Sequence, residues 1–195
     1  PLFRQAEFDP ARKYCELRLA RYPGARFTMF LEVLIASATA ESGDILVAAF
    51  EPANKETLDP LHAHRFHYTI FCLAGRLEAA RDYCKALRSA DVRFSDQNQS
   101  EIKLLDYTCG DIAADEILGV AAPTRDTLCR AHFFVGITNL PNGDRTAAQQ
   151  HFQRAADVKI VGYLEDHIGR AISAQLNRDP SWPKWIADNK LDAAE

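Results

Sequence analysis

Four glycines recur along this chain at nearly even intervals: Gly43, Gly75, Gly110 and Gly143 stand 32, 35 and 33 residues apart. Each lies in a short polar break between two segments whose apolar residues follow a helical period, so each marks the bend of a helical hairpin. The last copy, Arg130 to Ala155, is the plainest. Its first arm carries Phe133, Val135, Ile137 and Leu140, its second Ala147, Ala148, Phe152 and Ala155, with Pro141-Asn142-Gly143-Asp144 between them. Neither arm can bury its apolar stripe alone. A hairpin that returns at a fixed period predicts an all-α array in which neighbours cover one another.

In chain order, residues 1–23 read as the second helix of a partial hairpin, with its helical part at Pro10 to Tyr22 and its first arm expected upstream of Pro1. Residues 26–160 read as four hairpins, whose earlier arms are Arg26 to Thr39 and Ile45 to Ala53, His62 to Leu73 and Leu77 to Arg88, and Asp96 to Tyr107 and Ile112 to Leu118. Residues 161–177 are expected to form a capping helix. Its Leu164, Ile168, Ile172 and Leu176 would cover the last core face, with Glu165, Asp166, Arg170 and Gln175 in water. Residues 178–195 form a tail rich in proline and tryptophan. Trp182 and Trp185 are expected to fold back onto the cap helix, and Lys190 to Glu195 to fray.

Composition narrows the function. A chain of 195 residues that is 47% hydrophobic can bury one continuous core. A formal charge of -4 argues against a protein built to hold nucleic acid. Met29 to Ala40 is interrupted by Glu32 and too short for a membrane span, so no transmembrane segment is expected. Cys15, Cys72, Cys84, Cys109 and Cys129 are scattered, odd in number and free of C-x-x-C pairs, which points to reduced, buried thiols. The expectation is a cytoplasmic protein, or a periplasmic or exported one if a leader preceded Pro1.

Two constellations invite chemistry. His62-x-His64-x-x-His67 with Cys72 or Cys84 carries zinc-binding groups, but His62 lies about 160° around the helix from His64 and no second ligand pair follows. Packing histidines are the preferred reading over a metal or small-ligand enzyme. Cys129, His132 and Asp144 could serve as nucleophile, base and orienter, yet such a site needs oxyanion donors around an open cleft, and the spacing arises easily by chance. Phosphate-cradling glycine motifs are absent. No enzyme activity, cofactor or metal is expected.

With the glycines aligned, the chain resembles the tetratricopeptide repeat (TPR) family of helix-turn-helix units, whose period is about 34 residues. Gly136, Gly143, Ala148, Phe152 and Ala155 match five positions of the family pattern. Tyr68, Gly75, Ala80 and Cys84 match in a second copy, Ala36, Gly43, Ala48 and Pro60 in another, and Ala11, Cys15 and Pro23 in the partial unit. The third unit departs, with Lys103 and Asp115 where small residues are usual. The closing hairpin and cap also resemble, more loosely, the NlpI-type bacterial lipoproteins of the same superfamily.

The resemblance implies an α-α superhelix of TPR-like hairpins with a C-terminal capping helix, whose first helices line a concave groove for a peptide or partner helix. Carried onto this sequence, the groove positions are Phe30, Val33 and Ser37; His62, Arg65 and Thr69; Gln97, Ser100, Leu104 and Tyr107; and Arg130, Phe133 and Ile137. That lining suits a ligand with apolar side chains and a carboxylate met by Arg65 or Arg130. Val33, Ser37 and Phe66 depart from the set with which chaperone-binding members clamp a C-terminal carboxylate. Filling of part of this groove by the chain's own Trp182 and Trp185 is the competing expectation. The function expected is a non-catalytic scaffold or adaptor for a protein or peptide partner, or a subunit of a homo-oligomer or assembly. The alternative is the accessory region of a larger multidomain enzyme or regulator whose catalytic part lies outside this chain.

Overall fold

A computed structural model describes residues 8–22, 26–50, 60–89, 99–121, 124–160 and 164–187. Among these the regular elements are all helices: α1 (Phe8–Arg21), α2 (Arg26–Thr39), α3 (Gly43–Phe50), α4 (Pro60–Leu73), α5 (Leu77–Ser89), α6 (Gln99–Cys109), α7 (Ala114–Ala121), α8 (Arg125–Asn139), α9 (Arg145–Asp157) and α10 (Leu164–Arg178). Ala53, Asp96 and Lys190 to Glu195, which the sequence reading places in arms and in a frayed end, lie outside the described residues.

Local chemistry explains where the arms stop and start. The turn glycines Gly75, Gly110 and Gly143 have φ of 78, 84 and 72°, a left-handed conformation that costs glycine little. Each closes its helix with the same pair of bonds. Gly75 donates to Cys72 O and Arg76 to Phe71 O, Gly110 to Tyr107 O and Asp111 to Asp106 O, Gly143 to Leu140 O and Asp144 to Asn139 O. This is the Schellman pattern, which satisfies carbonyls the helix leaves open. Asp144 then caps α9, its side chain accepting from Ala147 N at 3.0 Å.

Gly43 belongs to a different case. It is the first residue of α3, not a left-handed turn, and a Cβ there would lie 2.2 Å from the carbonyl oxygen of Ala74. In the first unit glycine is required because α3 starts against the end of α4, so the fourth member of the series arises from close backbone approach. Gly136 shows a third use: a Cβ would lie 2.8 Å from the ring of Phe152, so α8 and α9 approach closely because one residue lacks a side chain.

Consecutive helices pack as neighbours, most extensively α8 with α9, α9 with α10 and α4 with α5. The array also folds across itself. Helix α4 meets α8 directly, where Tyr68 Oη lies 2.9 Å from Thr138 Oγ1 and the Tyr68 and Phe134 rings are 5.9 Å apart. His64, 1% exposed, stacks on Phe134 and shares a 2.7 Å hydrogen bond with Thr108 of α6. The two first arms therefore form the centre of the core.

Helix α10 is not a peripheral cap. It packs on α9, α8 and also α2, near the opposite end of the chain. Ile168, Ile172 and Leu176 are buried as expected, but so are Glu165, Asp166 and Gln175 on the side assigned to water. The reason is that α10 packs against α9, α8 and α2, while Asp166 and Gln175 find partners on α10 itself: Asp166 pairs with Arg170, and Gln175 accepts from Arg178. The tail differs too. Trp182 and Trp185 reach past α10, their indoles donating to Ser37 O of α2 at 2.8 Å and to Leu73 O of α4 at 2.9 Å.

Candidate recognition face

Arg65 on α4 and Arg130 on α8 are brought together, and the carboxylates that join them belong to the chain itself. Glu165 Oε1 at the start of α10 lies 3.2 Å from Arg130 Nε and 3.5 Å from Arg65 Nη1. Glu101 Oε1 on α6 pairs with Arg65 Nη2 and with Arg130 Nη1. Two cations and two anions thus close a neutral ring across four helices. The glutamate side chains are only 4% and 7% exposed, the arginines 14% and 13%. Carboxylates this deep in protein are tolerated only when paired, and the planar guanidinium fork lets each arginine serve both.

Most of the other expected groove positions lie in the interior. Val33, Ser37, Thr69, Leu104, Tyr107, Phe133 and Ile137 are buried, and Ser100 is half-buried. The small hydroxyls turn back on their own helices, Ser37 Oγ to Leu34 O and Thr69 Oγ1 to Arg65 O. Helix α10 and the tail supply the cover. A Cβ on Gly169 would lie 3.7 Å from Phe133, Glu165 holds the two arginines, and Trp182 stands over the end of α2. The side chains of Phe30 and His62, and all of Gln97, lie outside the described residues.

Arg145, at the start of α9, organises the tail. Its Nε donates to Trp182 O at 3.1 Å, and its Nη2 faces Ser181 O at 3.2 Å, Pro183 O at 3.0 Å and also Ile186 O. Nothing in the sequence pattern distinguishes this arginine from others in mixed-charge stretches. The same holds for Glu101 and Glu165, whose partners lie 29 or more residues away along the chain.

The residues weighed for chemistry take separate roles. His64 is held neutral, its pKa pushed down to about 3 by burial and then by Arg65. His67 bonds Ala63 O and stacks on Tyr83 at 4.5 Å, so the two do not converge on a common point. Among the described residues no group of three or more His, Cys, Asp or Glu could hold a metal ion. Cys129 is fully buried, its thiol pushed up to about 12 by burial and by Glu165 and Asp166. His132 turns instead to His151, with Nδ1 atoms 3.1 Å apart. Asp144 is the cap of α9.

No protein-family model, curated protein or solved structure matches this chain.

Proposed function

We infer that this chain is a non-catalytic interaction scaffold or adaptor of TPR-like hairpins, and that the face built from α2, α4 and α8 is its recognition surface. One observation carries the reading. In cis this face holds a helix with an apolar side and a carboxylate, Ile168 and Ile172 against the core and Glu165 against Arg65 and Arg130. That is the ligand chemistry which the resemblance implies for the groove, and a partner helix of the same kind would compete for the same arginines. Helix α10 is then the resident occupant, and recognition requires it to yield.

The test is affinity capture with wild type and with Arg65→Gln/Arg130→Gln, each confirmed as folded by circular dichroism. A partner of this face is lost from the double variant and kept by Arg76→Ala, which changes a surface pair with Asp44. A partner retained equally by the folded double variant overturns the assignment.

A second reading, the accessory region of a larger multidomain protein or a subunit of an assembly, is favoured by α1. Its Tyr14 and Leu17 and the following Tyr22 are 49%, 66% and 53% exposed, an apolar and aromatic surface suited to docking on another body.

A further inference from the structure

The tail is held by hydrogen bonds to its indoles and its main chain. Two helix carbonyls accept indole N–H groups: Ser37 O near the end of α2 from Trp182, and Leu73 O, the last of α4, from Trp185. The Schellman bonds of Gly75 and Arg76 run to Cys72 O and Phe71 O, so they leave Leu73 O for the indole. Gly75 makes room beside it, since a Cβ there would lie 3.1 Å from Ile186. Arg145 binds the main chain, through the carbonyls of Ser181, Trp182, Pro183 and Ile186. Trp182 is 2% exposed and Ile186 7%, whereas the Lys184 side chain between them is 76% exposed and lies at the limit of an ion pair with Asp179.

These contacts divide into a backbone reader, two indole acceptors, a seat for one branched apolar side chain, and one position left to solvent. Receptors recognise peptide segments by the same division, main-chain hydrogen bonds holding the segment and side-chain pockets selecting it; here the held segment is turned, Trp182 N donating to Asp179 O and Ile186 N to Pro183 O. We propose that the end of the face formed by Ser37, Leu73, Gly75 and Arg145 is a peptide-binding subsite for a turned Trp-Pro-x-Trp-Ile segment of a partner protein, which competes there with Ser181 to Ile186 of this chain. The inference rests on the interaction-scaffold reading and adds to it a second subsite, separate from the one that α10 occupies. It places the competing segment at the tail's end of the face, so α10 and its pairing with Arg65 and Arg130 stay in place. The tail is the tethered competitor, at a high effective concentration because Asp179 and Pro180 join it directly to α10.

The test uses the full chain with the tail anchors removed, Trp182→Ala/Trp185→Ala, titrated with a fluorescein-labelled peptide of residues 179–187 and read by anisotropy. Saturable binding is expected, at least about tenfold tighter than to the wild-type chain, whose tethered tail occupies the subsite. It is expected to weaken about tenfold for a peptide with both tryptophans replaced by alanine, and again when Arg145→Lys removes the guanidinium fork. No saturable binding to a variant that keeps wild-type helix content overturns the proposal.

If that variant does not fold, a specific protease site placed between Arg178 and Pro180 of the full chain is cut instead. Exchange of the cut tail for labelled peptide supports the subsite, and a cut tail that never exchanges overturns it. Neither outcome touches Arg65 or Arg130. A capture partner that depends on those arginines, together with failed peptide binding, therefore removes this inference and leaves the scaffold reading standing.

Discussion

Glu165 and Arg130, 35 residues apart in the chain, meet at 3.2 Å inside the core, and the same glutamate oxygen reaches Arg65. The position where a partner's carboxylate was expected is thus taken by one from the chain's own last helix. Glu165→Gln keeps the shape and removes the charge, leaving two buried guanidinium groups on one carboxylate. A loss of about 2–3 kcal/mol is expected in urea unfolding, because breaking a buried pair strands its partner. Asp44→Asn breaks the exposed pair with Arg76 and is expected to change stability by less than about 0.5 kcal/mol. Equal effects at the two sites would contradict the buried ring.

Two helix glycines should respond in opposite directions to the same change. At Gly136 an added methyl meets the Phe152 ring at 2.8 Å, so Gly136→Ala is expected to overpack the α8–α9 contact and cost about 1–3 kcal/mol. At Gly119 nothing lies within 4 Å, and Gly119→Ala is expected to stabilise by about 0.5–1 kcal/mol through helix propensity. Thermal melts of the two variants check both signs.

The His132–His151 pair predicts acid sensitivity. His132 is pushed down to about 4 by burial, then by His151 and Arg154; His151 is lowered by burial and Arg154. The unfolded chain therefore takes up the proton first. Stability is expected to fall as pH drops from about 6.5, the free histidine value, toward about 4, and this contribution levels off below that. The buried His64 pulls in the same direction. Urea midpoints at pH 7, 6 and 5 should decline less steeply for His132→Gln than for wild type; parallel declines would remove the pair from the explanation.

Thiol chemistry offers an independent check on the core. Cys15, Cys72, Cys84, Cys109 and Cys129 are all free and buried, and burial leads the causes that raise each thiol, to about 11 for Cys15 and about 12 for Cys84 and Cys129. A disulfide reagent at pH 8 is expected to find them slow in the native chain and to titrate five in urea. Rapid reaction of Cys129 in the native state would revive the nucleophile reading.

Helix positions were legible because they are local properties. Apolar period and turn residues place α2, α4, α5, α8 and α9 to within a few residues, and the glycines at 75, 110 and 143 occupy the bends that their φ values require. Gly43 fits the same spacing for a different reason, which only its contact with Ala74 reveals. The pairing of α4 with α8, and the return of α10 to α2, depend on which faces meet in space, and spacing along a chain carries no record of that. Glu165 reads equally well as a wet cap residue and as a buried counter-charge, because a carboxylate in a first turn suits both. Arg65 and Arg130 were singled out by the resemblance, but Glu165, which pairs with both, was assigned to water, and Trp182 and Trp185 were weighed both as cover for the cap helix and as occupants of the groove.

The bond from Trp182 to Ser37 spans 145 residues. In an open array each unit touches only its neighbours, so folding can begin anywhere and an end can melt alone. Here the last segment closes on the second helix, and the first hairpin cannot complete its contacts until nearly the whole chain is present. Such non-local closure slows folding, and α2, α4, α10 and the segment through Ile186 should melt as a single cooperative unit.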